Sequence, residues 1–315
     1  MQTTTNTTAF NEAQQYSQFI LQNISDGMLP DGWTRDVSDF GSGTTLNIKT
    51  VGTATLQDVQ EDTPMSYQAI DTGTVTLTIT DYIGDAWYFT DIVRQDYAQI
   101  PQLQTMRAME ATRALQERFE SRFLATCNSA QTASGLNNVN GFKHRFVASG
   151  TGQIITLDDF RDMKLSFDKA GVPSAGRIAI VDPVVEATLN GLVTATASTN
   201  QDPMWQNMVN EGFAQEHKFV RNLMGWDIWT SNRLPTTASE TIDSVTVTGG
   251  VANVFMSVLD DMHKPIMRAW RQTPKVESGR NKEKKRDEFD VTARFGLGAQ
   301  RLDTLGVILT DDTTY

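Results

Sequence analysis

The order of apolar and polar side chains divides this chain into segments of different period. Leu46, Ile48 and Val51 nearly alternate with Asn47, Lys49 and Thr50, while Val75, Leu77 and Ile79 alternate strictly with Thr74, Thr76, Thr78 and Thr80. A period of two predicts half-buried strands, and threonine, β-branched but polar, gives each a greasy face and a wet one. Between them, QDVQEDTPMSYQAIDTG is polar, acidic and far longer than an ordinary hairpin turn. A two-stranded ribbon is marginal alone in water. Something outside the ribbon is therefore expected to cover it, another copy of the chain being one candidate.

From about Gln95 to Asn128 the period lengthens. Ile100, Leu103, Met106, Met109, Leu115, Phe119 and Phe123 recur at steps of three, four or six, with Arg107, Glu110, Arg113, Glu117, Arg118, Glu120 and Arg122 on other faces. The pattern predicts one helix of roughly 30 residues, a rod approaching about 50 Å. Glu110 with Ala114 and Glu117 with Ser121 make no i,i+4 ion pairs, while the i,i+3 pairs Glu110–Arg113 and Glu117–Glu120 are mixed in sign. After the break SGLNNVNGF, Thr156 or Asp158 is placed to cap a helix running to about Lys169.

AGVPSAGRIAIVDP, residues 170–183, then reads as helix end, turn and buried strand. Gly171 caps the helix, Pro173 stops it, Gly176 frees the turn and Ile178 to Val181 form the strand. Beyond it, residues 184–192 and 203–215 read as short helices, Gly225–Thr230 as a strand, and Ser244–Val247 with Val251–Leu259 as sheet. A charged turn, GRNKEKKRDEFD, leads to β-like Val291–Phe295 and Leu305–Leu309. Residues 1–44 are rich in Thr, Asn, Gln, Asp and Gly, with a helix-like patch at 13–21, and read as an arm that lies on something else.

Composition narrows the function. Length 315 and 39% hydrophobic residues suffice for real cores. No run of about 18 apolar residues occurs, and MQTTTNTTAF lacks the order of a secretory signal, so the expectation is a soluble, non-exported protein with no membrane partner. The single cysteine, Cys127, excludes intramolecular disulfides and cysteine-based zinc clusters. Net charge is −11, of which −10 falls in residues 1–96 (3 basic, 13 acidic). With no broad basic surface, sequence-specific DNA binding is not expected.

Candidate chemistry is sparse. Gly171 and Gly176 precede a strand, whereas a dinucleotide fingerprint places glycines between strand and helix. The loop Gly41-Ser42-Gly43-Thr44-Thr45 lacks a phosphate-binding lysine. His144, His217 and His263 stand far apart; Asp260, Asp261 and His263 form the nearest mixed cluster, and a solvated strand end explains them. Asp158 and Asp159 suit a helix start through the macrodipole. Cys127 reads as a buried thiol. No catalytic, cofactor-binding or metal residue is assigned.

Taken in order, LDDFRDMKLSFDKAGVPSAGRIAIVDPVV, NLMGWDIWTSNRLP and RQTPKVESGRNKEKKRDEFDVTARFGLGAQRLD resemble segments of the major capsid proteins of tailed bacteriophages. The resemblance covers nearly everything after about residue 20. It implies an α+β Hong Kong 97-type fold: N-terminal arm (1–44), extended β-ribbon loop (45–92), peripheral domain with a long spine helix (93–149), axial domain (150–272) and C-terminal strands returning to the peripheral domain (273–315). It also implies a non-enzymatic protein without cofactors that forms pentamers and hexamers of an icosahedral shell around double-stranded DNA. Assembly would take place in the host cytoplasm with a separate scaffolding protein and a portal, and a decoration protein is a further possible partner. Asp58, Glu61, Asp62, Met65 and Tyr67 on the loop, and Arg280, Lys284 and Arg286 on the charged turn, are the candidate contacts between subunits. Some family members crosslink through a loop lysine and a neighbour's asparagine. Residues 50–93 here hold no lysine, so no such bond is expected. Two alternatives remain: an encapsulin-like nanocompartment shell, and an α/β enzyme with a site near Asp182.

Overall fold

The structure is a computed structural model, and it describes residues 29–39, 43–52, 56–59, 61, 62, 64, 65, 67, 69–97, 100–131, 138–200 and 222–311, with backbone only at 31 and 192–200. The helix-like patch at 13–21, the helix expected at 203–215 and His217 lie outside the described residues.

A short strand β1 (Arg35–Asp36) is followed by the ribbon strands β2 (Thr45–Val51) and β3 (Thr72–Thr78), then by β4 (Asp81–Thr90). Helix α1 (Asp91–Asp96) leads to α2 (Ile100–Ala130), and the minor strands β5 (Asn138–Val139), β6 (Phe142–Lys143) and β7 (Arg145–Val147) come next. Helix α3 (Leu157–Lys169), β8 (Arg177–Val181) and α4 (Pro183–Asn200) precede β9 (Asn222–Leu223) and β10 (Trp226–Thr230). The chain continues through β11 (Ser239–Ile242), β12 (Val245–Thr248), β13 (Val251–Ser257), β14 (Ile266–Asn281), β15 (Arg286–Ala299) and β16 (Leu305–Thr310).

Two sheets share one helix. The six-stranded sheet has the order β7-β16-β13-β8-β10-β9, with β8 parallel to β10 and antiparallel to β13. Every residue of β8 and β13 is buried, because both faces of this sheet are covered. Ala179, Val181 and Phe255 face Phe160, Met163 and Phe167 of α3, Val185 and Leu189 of α4, and Trp226. Ile178, Ile180, Val254 and Met256 face Phe123, Leu124 and Cys127 of α2. The other sheet has the order β1-β14-β15-β4, and α2 lies across it through Ala111 and Leu115 against Val291 and Ala293. Phe119 stacks on Trp270 with centroids 5.2 Å apart and meets Phe295 edge-on at 5.1 Å.

The long helix is thus present, and it buries part of the face its spacing suggests, with Ile100, Leu115 and Phe123 inside. Leu103 and Met109 are exposed, whereas Ala111, Leu124, Cys127 and Glu120 join Ile100, Leu115 and Phe123 in contact with the sheets. Arg113 pairs with Glu110 and also with Glu117 four residues on, an ion pair the sequence reading does not include. Three further elements are corrections. The 45–92 segment is not all ribbon and connection, since residues 81–90 form a full strand of the four-stranded sheet. Residues 266–281 form one long strand paired with β15, and the charged turn shrinks to 282–285. Ser244 sits in the β11–β12 turn at φ 69°, so the strand starts one residue later and β13 stops at Ser257. Residues 286–299 lie beside β4 and under α2, while 305–310 run in the other sheet between β7 and β13.

Candidate assembly surfaces

The ribbon is built as its alternation predicts. Leu46 pairs with Leu77 and Ile48 with Val75, while the wet face carries bonds such as Lys49 Nζ to Thr74 Oγ1 (3.0 Å) and Thr76 Oγ1 to Asn47 Oδ1 (3.0 Å). Its base is covered from within the chain, by Met267, Ala269 and Val37. The outer part is not. Leu56 is 94% exposed, Ile70 78% and Tyr67 100%. Asp58, Glu61, Asp62 and Met65 are exposed in the same stretch, so the five residues named on the loop share one projecting tip. Residues 50–93 contain seven acidic side chains and no Lys or Arg.

The second set stands elsewhere. Strand β15 pairs with β4 from Arg286 opposite Thr90 to Phe295 opposite Asp81, and the ribbon leaves beside Asp81. Ten residues of strand, about 33 Å, therefore separate the charged turn from the ribbon base. Arg280 is engaged in its own subunit by both oxygens of Asp91 (2.6 and 2.7 Å) and by Asp287 (2.8 Å). Hydrogen bonding to Arg280, ahead of every other influence, holds the Asp91 carboxyl below its usual range. Arg286 lies over the Tyr88 ring at 4.2 Å and pairs with Glu288 at 2.6 Å. Lys284 is exposed at the turn, Arg280 is exposed as well, and Arg286 is half-buried.

The 170–183 junction has structural work in every residue. Gly171 takes φ +75°; its N–H donates to Asp168 O and the Val172 N–H donates to Phe167 O, closing the helix in a Schellman motif. Arg177, almost wholly buried, donates to Pro173 O (3.0 Å), Val172 O (2.6 Å) and Asp168 Oδ1 (2.6 Å) while lying over Phe167 and Trp226. Asp182 accepts from the Val184 N–H (2.9 Å), and its own N–H donates to Asn253 (2.9 Å). That carboxylate begins α4. At the other helix start, Thr156 and Asp159 form a reciprocal capping box, with Ser149 N–H donating to the same carboxylate.

Several other titratable groups are buried or paired within the chain. Burial pushes the Cys127 thiol well above its usual pKa. Burial also pulls His144, stacked on Phe167 at 5.5 Å, below its ordinary 6.5. His263 Nδ1 lies 2.6 Å from Asp260, and Lys264 Nζ donates to Asp261 at 2.6 Å. Glu120 on α2 accepts from Ser231 Oγ (2.9 Å), Leu29 N–H (3.3 Å) and Arg233 (3.3 Å), tying three distant parts of the chain together. Sequence spacing gives no sign of that junction, since its partners lie 91 to 113 positions away. Among the described residues no group of three or more His, Cys, Asp or Glu could hold a metal, and no helix is long and apolar enough to cross a membrane.

Three comparisons bear on this arrangement. A model of the phage capsid protein family matches residues 71–310. Among solved structures, the capsid of the cyanophage P-SCSP1u aligns with a TM-score of 0.70 at 14% identity, covering 94% of this chain and 92% of that one. The mature capsid of bacteriophage PhiM1 gives 0.68 at 12% identity (99% and 96% covered), and a structure from Mycobacterium phage Che8 gives 0.66 at 18% (95% and 98%). No curated protein matches the sequence.

Proposed function

The chain belongs to the phage capsid protein family, and from that premise we propose that it self-assembles into pentamers and hexamers of an icosahedral shell enclosing the double-stranded DNA of a tailed phage. The observation that carries this reading is the ribbon tip, which places large apolar side chains in solvent on an element with no core of its own. A two-strand projection of that kind gains its stability from a surface on another molecule. The contacts assigned to neighbours are Asp58, Glu61, Asp62, Met65 and Tyr67, with Lys284 and the paired Arg280 and Arg286 at the far end of the sheet.

Within the subunit, the four-stranded sheet and α2 serve as the peripheral unit, built from residues 81–130 and 266–299, and the six-stranded sheet with α3 and α4 serves as the axial one, built from residues 145–257 and 305–310. Residues 1–44 act as the arm and 45–80 as the loop. The acidic balance suits a container that must release its DNA, since strong phosphate contacts need clustered cations. Assembly proceeds in the host cytoplasm with a separate scaffolding protein and a portal. Electron microscopy of protein co-expressed with its scaffold tests the reading: closed shells are expected, and a monodisperse small oligomer with no shells would overturn it.

A further inference from the structure

A groove of about 460 Å³ opens where the outer half of the ribbon faces the corners at 262 and 300–301. It is lined by Arg35, Lys49 and Arg301 together with the apolar Val51, Met262 and Met267. Among the described residues no acidic side chain lines it. Arg35 donates to Gln300 (3.2 Å) and Lys49 to Thr74 (3.0 Å), both neutral partners; Arg301 is 3.6 Å from Asp303. Val51 and Met262 are more than half exposed. The surface is therefore cationic and greasy at once.

The ribbon tip is its complement. Residues 56–70 carry Asp58, Glu61 and Asp62 without a single cation, interleaved with Leu56, Val59, Met65 and Tyr67. Their exposure shows that the tip is not seated in the groove of its own chain. We propose that the groove lined by Arg35, Lys49 and Arg301 is the socket for the acidic ribbon tip of a second copy of this chain. Apolar side chains of the tip fill the floor between Val51 and Met262, and its carboxylates meet the three cations at the rim. Each copy offers one tip and one socket on different surfaces, so the contact is head-to-tail and propagates around a ring. Charge complementarity of this kind sets partner choice and encounter rate and weakens with salt.

This inference rests on the shell reading, and the experiment separates the two. Four proteins are co-expressed with the scaffold: wild type, Lys49→Glu with Arg301→Glu, Asp58→Lys with Glu61→Lys, and all four changes together. All altered positions are exposed, so unassembled subunits should keep wild-type melting curves. Each reversed pair is expected to lower shell yield at least tenfold, and the fourfold variant to restore it. A second readout uses Met65→Cys with Met262→Cys under mild oxidation, where disulfide-linked oligomers are expected on non-reducing gels. Wild-type shells with unaffected reversal variants, or failure of the fourfold variant to recover, would overturn the socket and leave the shell reading standing. Absence of wild-type shells would overturn the shell reading itself, and the socket with it.

Discussion

A methyl group added at residue 176 has nowhere to go. An ideal Cβ there would lie 2.8 Å from Leu259 Cα, on a backbone already at φ +68°. At Gly171 the backbone is just as left-handed, φ +75°, but the space is open. The pair separates conformational cost from collision. Gly171→Ala should cost about 1 kcal/mol, the penalty of the left-handed region, and Gly176→Ala about 3 kcal/mol or more, because backbone must also shift. Urea unfolding of the unassembled subunit checks the order; equal midpoints for the two variants would refute it. His144 gives a second test at this scale. Its folded pKa is depressed by burial, so below about 6.5 the unfolded chain binds more protons than the folded one. Its contribution is full above 6.5 and is lost as pH falls from there towards the depressed value. Unfolding free energy should drop between pH 7.5 and 5.5, and His144→Gln should lose that slope.

Burial divides the ribbon into two elements with separate roles. Leu77, 1% exposed, is part of the subunit core, and Leu77→Ala should cost about 2–4 kcal/mol of stability. Ile70→Ala should change subunit stability by less than about 0.5 kcal/mol and lower shell yield instead. Melting curves and particle yields, measured on both variants, distinguish the two; a destabilised Ile70→Ala subunit would contradict the division. Strands β2 and β3 were legible because one face is wet and the other dry, which is what a period of two reports. Strand β4 escaped notice because its inward face carries Asp81 and Asp85, satisfied by Arg122 and Arg107 of α2, while Tyr82 and Tyr88 point outward. Strand β14 hid behind Pro274, which falls where the register shifts between Gln272 and Lys275. The capping box of α3 and the Gly171 helix end were readable because their bonds are local. Glu120 was not, since nothing near it in sequence marks which glutamate of α2 is to be buried.

At the scale of the whole molecule, residues 50–93 hold no lysine, so no isopeptide bond from this loop is expected between copies. Denaturing electrophoresis of mature particles should give single chains, and a ladder of covalent oligomers would refute this. The fold also decides when a subunit is fit to join. Strand β16 sits inside the six-stranded sheet, parallel to β7 on one side and antiparallel to β13 on the other. Strands β8 and β13 leave the ribosome well ahead of Leu305, on the order of 6 to 25 seconds earlier for β8 at ordinary elongation rates. Until then the Val254 and Phe255 edge has no neighbour on that side. A truncated product of an interrupted message keeps that gap permanently. Only a chain read through Thr310 supplies the strand that joins β7 to β13 and completes this sheet.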